Sequence, residues 1–427
     1  LKLIYIIIDG LGDRPIEELD GRTPLEDAET PYMDSLARTG KTGLMYTVGK
    51  GIAPESDVAV VSILGYNPFE FHVSRGALEA LGAGLNMRNG DLALRCNFAT
   101  LAPDNSIIDR RAGRNLTTEE ANELAQAIND QIRLESYPAT LQLKNTMSYR
   151  GAMVIRSEKT ELSGNIDNTD PAYKRIDGVG VADPEAKMVL KKSTPLDSTK
   201  ESKISANLIN EFTVKSIAVL NQHKVNMKRV KMGKLKANVV LSRDAGHLVP
   251  KFPFLGQLYG LSFVCLADMN VERGISKLAG MSLVDLPLPS KNLEKDCNLR
   301  VDKLLEVLLR YDCFYIHIKG PDEPGHDGNY NLKSQLIAIV DKFFVGNMLQ
   351  KINLENYLIC VTADHATPCG LKAHSGDPVP LLIAGNKMQG DEVRGFSERE
   401  CKDGELGVLP NGTELLPRLV SYLKAGR

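Results

Sequence analysis

Residues 358–374 read LICVTADHATPCGLKAH. Leu358 to Val361 is a short apolar run, closed by Thr362-Ala363, and Asp364 and His365 follow side by side. Beyond a Pro and a Gly comes His374. A run this short and wholly apolar, flanked by turn formers, predicts a buried strand of a parallel sheet. Such sheets collect ligands in the crevice at the carboxyl ends of their strands. An Asp-His pair emerging there, with a further His nearby, suits a divalent cation. Were the pair isolated, a helix-capping Asp beside an exposed His would be the better reading. Two other strand ends in the chain carry matching groups, and that changes the balance.

Working outward, residues 250–427 alternate between the two periodicities. GLSFVCLA, CFYIHIKG and PVPLLIAG predict strands. VERGISKLAGM, VDKLLEVLLRY, NLKSQLIAIVDKFFVGNMLQKI and TELLPRLVSYLK predict helices. Alternation of this kind predicts an α/β fold with a doubly wound, mostly parallel sheet. Residues 1–76 supply the opening strand, 2–8, which ends at Asp9-Gly10. They also supply a helix that starts at Ser56 in PESDVAVVSILG. Between them, 77–249 differ in character. A capping box, Thr117 to Glu120, opens a helix over 117–133. MVIRS predicts a strand, long polar loops fill 157–187 and 191–203, and a helix at 203–223 precedes a strand at 237–241. The reading is a catalytic domain, 1–76 with 250–427, split by a smaller inserted α+β domain, 77–249. Hinges are expected where the two cross, at 77–82 and 245–255.

The 427 residues leave room for two domains, and 43% hydrophobic with 25% charged residues is ordinary for a globular chain. A formal net charge of −2 gives no bulk attraction to nucleic acid or to a membrane surface. No apolar stretch reaches the ~18 residues of a membrane span. The opening LKLIYIIIDGLGDRP lacks a small-residue cleavage site and is read as a strand, not a signal peptide. Seven scattered cysteines without a C-x-x-C pair point to a reducing, cytoplasmic setting and not to a disulfide framework.

The strand ends assemble a chemical set. Asp9 follows the first strand, Asp322 and His326 follow CFYIHIKG, and Asp364, His365 and His374 follow LICV. Three carboxylates and three imidazoles, with only seven His in the chain, suit Zn²⁺ or Mn²⁺. Six protein ligands are too many for one catalytic ion and about right for two, which would clamp the attacking and leaving oxygens of a phosphoryl transfer. A serine hydroxyl is a poor nucleophile at neutral pH, and coordination to a divalent ion activates it. G-x-S-x-G is absent, so metal activation of Ser56, forming a phosphoserine, fits better than a Ser-His-Asp triad. The plain alternative for Ser56 is a helix N-cap.

IIIDGLGDRP, PESDVAVVSILGYNP, IIDRRAGR, KGPDEPGHDG and TADHATPCGLKAHSGDPVP together resemble the archaeal-type cofactor-independent phosphoglycerate mutases of the alkaline phosphatase superfamily. The resemblance spans nearly the whole chain. It implies an alkaline-phosphatase-like fold and interconversion of 3-phosphoglycerate and 2-phosphoglycerate without 2,3-bisphosphoglycerate. It implies two divalent ions, Mn²⁺ or Zn²⁺ with Mg²⁺ or Co²⁺ as alternatives. Asp322, His326 and His374 would hold one, and Asp9, Ser56, Asp364 and His365 the other. It also implies an inserted domain that closes over substrate. A substrate with about three negative charges needs cationic side chains, and the guanidinium fork suits phosphate and carboxylate alike. Arg110, Arg111 and Arg114 in IIDRRAGR, Arg243 at the end of ANVVLS and Lys319 beside the metal loop are the candidates, with Arg75 a weaker one.

Two positions depart from the family. Asp244 stands in SRDAG where Gly is expected, and Tyr173 stands in DNTDPAYK where the family often has His. DNTDP is therefore given no role. His72, His223, His247 and His317 are read as structural. The competing readings are a two-metal phosphatase or phosphopentomutase of the same superfamily, and a non-catalytic phosphate- or metal-binding protein. Oligomeric state cannot be read from the sequence.

Overall fold

The computed structural model describes residues 1–71, 73–176, 179–183, 185–385 and 388–426. His72 lies outside the described residues. The chain divides into two compact units, Leu1–His72 with Phe252–Arg427, and Val73–Lys251. The crossings fall four residues before and two after the expected borders. The reason for the first is local. The helix Arg75–Gly82 packs on strands of the second unit and so belongs to it. The 77–82 segment expected to hinge is thus the body of a helix, and 245–246 are strand.

In chain order, the first unit opens with β1 (Lys2–Ile8) and β2 (Lys41–Met45). The second contains β3 (Leu92–Leu101), β4 (Ile107–Asp109), β5 (Thr140–Met147), β6 (Arg150–Arg156), β7 (Tyr173–Ile176), β8 (Val179–Ala182) and β9 (Val239–Gly246). The first unit resumes with β10 (Phe263–Leu266), β11 (Ser282–Leu283), β12 (Cys313–Ile318), β13 (Tyr357–Thr362), β14 (Val379–Gly385) and β15 (Gly407–Leu409).

Eight strands of the first unit form one sheet in the order β11-β10-β12-β1-β13-β14-β2-β15. Its centre is parallel: β1 lies between β12 and β13, running with both. From Leu3 to Ile8 every β1 residue is buried, as are all of β12 and β13. Helices on the sheet explain why these strands are apolar throughout instead of alternating. Pro31–Thr39 packs on β14, Leu293–Val307 on β10, and Leu415–Ala425 on β1 and β13. β14 differs from the strand alternation read in the sequence, because it runs antiparallel to both β13 and β2. A continuous apolar run such as PVPLLIAG has no sequence mark of direction. The helix expected over 331–352 holds a π-helical stretch, Val340–Gly346. Its Asp341 carboxylate, fully buried, accepts from the backbone N–H groups of Tyr32 (3.2 Å) and Met33 (2.7 Å), capping the helix Pro31–Thr39.

The second unit is built on an antiparallel sheet, β4-β3-β6-β5, with β9 on the other side of β3. The helix Thr118–Gln131 starts at the predicted capping box and packs on β5. Lys200–Gln222 packs on β9, and Leu124, Ile128, Leu208 and Phe212 fill the core between. Within the polar 157–187 segment the chain forms the β7–β8 hairpin. The strand read at 237–241 spans Val239–Gly246, so Arg243 lies inside it. Asp244 has φ +56°, a left-handed conformation that glycine adopts freely and Asp tolerates better than most residues. Asp can therefore stand in place of Gly here with the backbone conformation kept.

Candidate functional site

Three neighbouring parallel strands deliver the ligand set. Ile8 of β1 lies level with Ile318 of β12, and Ile7 with Thr362 of β13. Asp9, the segment from Lys319 to His326, and Asp364-His365 therefore emerge side by side. The approach is tight at Gly10, with φ +63°: a Cβ there would sit 2.7 Å from Asp322 Cα. Ser56 arrives from elsewhere, in the first turn of the helix Ser56–Ile63, and its Oγ lies 3.1 Å from His365 Nε2.

The structure brings all seven proposed ligands together. His365 Nε2 lies 3.3 Å from Asp9 Oδ1 and 3.4 Å from Asp364 Oδ2. Asp322 Oδ1 lies 3.4 Å from His326 Nε2 and 3.5 Å from His374 Nε2. The His365 and His374 rings stack with centroids 3.7 Å apart. Asp322, His365 and His374 thus form one group with metal-ligand spacing, and Asp9, Asp364 and His317 form another. His317, read as structural from sequence, is fully buried in β12 with Nε2 3.7 Å from Asp364 Oδ2.

Two imidazoles have their ring nitrogens fixed by the backbone. His374 Nδ1 lies 2.8 Å from the Pro54 carbonyl and His326 Nδ1 3.2 Å from that of Lys372. A carbonyl only accepts, so Nδ1 is the donor in both. Their Nε2 atoms then face each other at 3.1 Å beside Asp322. Two neutral imidazoles cannot both be acceptors at that distance unless a proton or a cation lies between. The chemistry of the donor set fits a divalent ion.

Buried atoms without a hydrogen-bond partner among the described residues point the same way, namely Asp9 Oδ1, Asp364 Oδ2, Glu272 Oε2 and His317 Nε2. Burial, then the neighbouring Asp9 charge, pushes Asp364 up to about 7. Burial works against charge on His365, yet Asp364 and Asp9 raise it to about 9. Burial would also raise Asp9, but the Lys319 ammonium and His365 hold it well below the usual carboxylate range. His317 falls to about 3 through burial and then Lys319. Lys319 Nζ reaches Asp9 (2.7 Å) and Glu272 (2.9 Å), so this candidate substrate contact sits within the carboxylate cluster.

Beneath the site lies a second buried charge pair. Lys333 Nζ donates to Asp13 Oδ2 (2.8 Å), to the Gly12 carbonyl (3.0 Å) and to the Thr367 carbonyl (2.9 Å). Both Lys333 and Asp13 side chains are fully buried. This lysine ties the loop after β1 to the loop after β13.

In the second unit, Arg95 and Arg243 are directly opposite in the β3–β9 register. Arg75 and Arg95 share Glu79, at 3.9 and 3.6 Å. Arg110 makes a two-pronged contact with Asp170, through Nε at 2.7 Å, and Arg243 reaches the same carboxylate at 3.0 Å. Both guanidinium groups lie over the Tyr173 ring, at 5.1 and 4.6 Å. Burial, followed by repulsion from Arg243 and Arg75, lowers Arg95 to about 9. Among the described residues, neither Arg111 nor Arg114 makes an ion pair. Sequence reasoning passed over Arg95, Asp170 and Tyr173. The first is hidden inside an apolar strand, and DNTDP carries no signal until the fold sets it between two arginines.

A family model described as 2,3-bisphosphoglycerate-independent phosphoglycerate mutase matches residues 37–226. A protein of that name from Aeropyrum pernix is 42% identical over 99% of this chain and 100% of its own length. Among solved structures, a Pyrococcus horikoshii protein is similar with a TM-score of 0.78 at 32% identity, covering 99% of this chain and 97% of that one. The cofactor-independent phosphoglycerate mutase from Thermoplasma acidophilum matches with a TM-score of 0.65 at 30% identity, covering 99% of each chain.

Proposed function

The chain belongs to the 2,3-bisphosphoglycerate-independent phosphoglycerate mutases, which are isomerases, and from that premise we propose that it interconverts 3-phosphoglycerate and 2-phosphoglycerate through a phosphoserine on Ser56. The observation that carries this is the placement of Ser56 Oγ 3.1 Å from His365 Nε2, at a helix start and within the Asp/His cluster.

Asp9, Ser56, Asp364 and His365 would hold one divalent ion and Asp322, His326 and His374 the other. Mn²⁺ or Zn²⁺ suits these ligands best. When bound, the ions supply positive charge that favours the Ser56 alkoxide and neutralises the phosphoryl oxygens. Ser56 Oγ gives up its proton and forms a bond to phosphorus as the bond from phosphorus to the C3 oxygen of glycerate breaks, and that oxygen takes up a proton, so none is gained or lost overall. The first-turn N–H groups of the helix Ser56–Ile63 lack a backbone carbonyl one turn back within the helix; Asp57 Oδ1 takes that of Val58 (2.9 Å), and those of Ser56 and Asp57 suit an anion. Lys319 donates to the transferred phosphoryl group. Glycerate then reorients without leaving, its C2 hydroxyl loses a proton, and the C2 oxygen recovers the phosphoryl group from Ser56.

Retaining glycerate between the half-reactions falls to the second unit, as a substrate-binding lid. Arg110, Arg111, Arg114 and Arg243, together with Arg75 and Arg95, hold the carboxylate. The charges of Arg243 and Arg75 bear on the buried Arg95 even with Glu79 3.6 Å away, and an anion held there would relieve this, which supports the reading. Seven buried free cysteines fit a cytoplasmic setting, and no helix among the described residues is long and apolar enough to cross a membrane.

The test uses metal-reconstituted protein with 3-phosphoglycerate and no 2,3-bisphosphoglycerate, following 2-phosphoglycerate and free phosphate together. The expected result is 2-phosphoglycerate with little free phosphate, abolished in Ser56→Ala. Mostly free phosphate would replace the mutase reading with a phosphatase.

A further inference from the structure

We propose that Thr367 is the residue that sets the ring tautomer of His365 and couples the two ligand groups to each other. The inference rests on the two-ion mutase reading and goes beyond it, since Thr367 touches neither substrate nor ion. It is a positioning residue.

His374 and His326 are oriented by backbone carbonyls, which no side-chain substitution removes. His365 is different. Its Nδ1 lies 3.0 Å from the Thr367 hydroxyl, and a hydroxyl can donate or accept. What decides is the other neighbour of that hydroxyl. Thr367 Oγ1 lies 2.7 Å from Asp322 Oδ1, and an ionised carboxylate only accepts. The single hydroxyl proton therefore points at Asp322. The Thr367 oxygen is left as the acceptor, so Nδ1 of His365 must be the protonated nitrogen. Once a divalent cation occupies the cluster and displaces any Nε2 proton, Nε2 is the nitrogen that offers its lone pair, on the side of Ser56 Oγ and Asp9. The chain of reasoning starts at a carboxylate of one ligand group and ends at an imidazole of the other.

Thr367 is well placed to hold this direction. It is fully buried. Its N–H donates to the Gly12 carbonyl at 3.0 Å, and its own carbonyl accepts from Lys333. On the Asp322 side the helix Asp322–Asp327 comes close enough only because residue 325 is Gly, where a Cβ would lie 2.5 Å from the Thr367 carbonyl oxygen. The relay is thus anchored at the backbone on one side and by close packing on the other.

A group that hydrogen-bonds the far ring nitrogen of a ligating histidine is generally worth 10–100-fold in metal affinity. The experiment compares wild type, Thr367→Val, which keeps the shape without the hydroxyl, and Thr367→Ser, which restores it. Thr367→Ala replaces the Val variant should that one fail to fold. Metal-free protein is titrated with Zn²⁺ by calorimetry, and ¹⁵N imidazole shifts of His365 are recorded in the loaded and metal-free forms. The Val variant is expected to lose about 10–100-fold in affinity for at least one ion and to show mixed protonation of Nδ1 and Nε2. The Ser variant is expected to match wild type in both readouts. Wild-type affinity for both ions in the Val variant, with Nδ1 still the protonated nitrogen, would overturn the proposal while leaving the mutase reading intact. If wild-type protein itself bound no pair of ions, both would fall together.

Discussion

Replacing Lys333 with Met tests how much of the site's foundation depends on one buried ammonium. The wild-type group has three acceptors, Asp13 Oδ2, the Gly12 carbonyl and the Thr367 carbonyl, all within 3.0 Å. Methionine fits the space and donates nothing. The Asp13 carboxylate would keep the backbone N–H of Cys369 (3.2 Å) and of Arg14 (2.8 Å), but it would lose its buried charge partner. The Gly12 carbonyl still receives the N–H of Thr367, and the Thr367 carbonyl is left bare. Breaking one partner of a buried pair costs about 3–5 kcal/mol, a large part of the ~5–15 kcal/mol that holds a domain folded. Native-state hydrogen exchange of peptides from β1 and β13 reads this directly, because core strands open only with the whole unit. Their exchange should accelerate by roughly a hundred- to several-thousand-fold. Adding Asp13→Asn to Lys333→Met should recover part of that protection by removing the stranded charge. Acceleration below about threefold, or a double variant no better than the single one, would refute the reasoning.

Gly10→Ala should lower kcat by about a hundredfold at saturating metal. The new Cβ, 2.7 Å from Asp322 Cα, must push the β1 and β12 ends apart by a sizeable fraction of an ångström. Steady-state kinetics within twofold of wild type would count against the close approach being needed. Asp341 gives a pH effect. Burial pushes its carboxyl up to about 6, above the ordinary value near 4. Its contribution is therefore complete below pH ~4 and is lost as pH rises through 6, an amount of about 3 kcal/mol. The stability of wild type relative to Asp341→Asn, from urea unfolding at pH 4 and pH 7, should fall by that order, and a pH-independent difference would sink the idea.

That these Asp and His residues would gather in one place was legible because a parallel sheet puts the carboxyl ends of its strands together. Asp9, Asp322 and Asp364-His365 each follow an apolar run, and that rule alone collects them. His317 escaped it because it sits inside the run, where a buried structural histidine is the ordinary case. Thr367 escaped because a hydroxyl next to a Pro resembles any turn residue until Asp322 and His365 are seen on either side. The direction of β14 was not legible, since its apolar residues would satisfy either orientation. The β3–β9 pairing joins Arg95 to Arg243 across most of the second unit, and no local pattern announces it. Legibility thus ended where partners were distant in the chain or where a single residue type had two ordinary uses.

The order of strands in the large sheet also sets a timetable for synthesis. β1 is flanked by β12 and β13, and β2 by β14 and β15, so neither early strand has a sheet neighbour before the second unit has been made. Every partner of β3–β9 lies within that unit. On the ribosome the inserted unit is therefore free to fold first, while KLIYIII waits unpaired. At ~5–20 residues per second, the roughly 300 residues that separate it from β12 take about 15–60 s to appear. A strongly apolar segment of this kind, with Lys2 its single charge, is what nascent chains lose to aggregation. The heptapeptide that later forms the middle of the sheet is, during translation, the segment most in need of shelter.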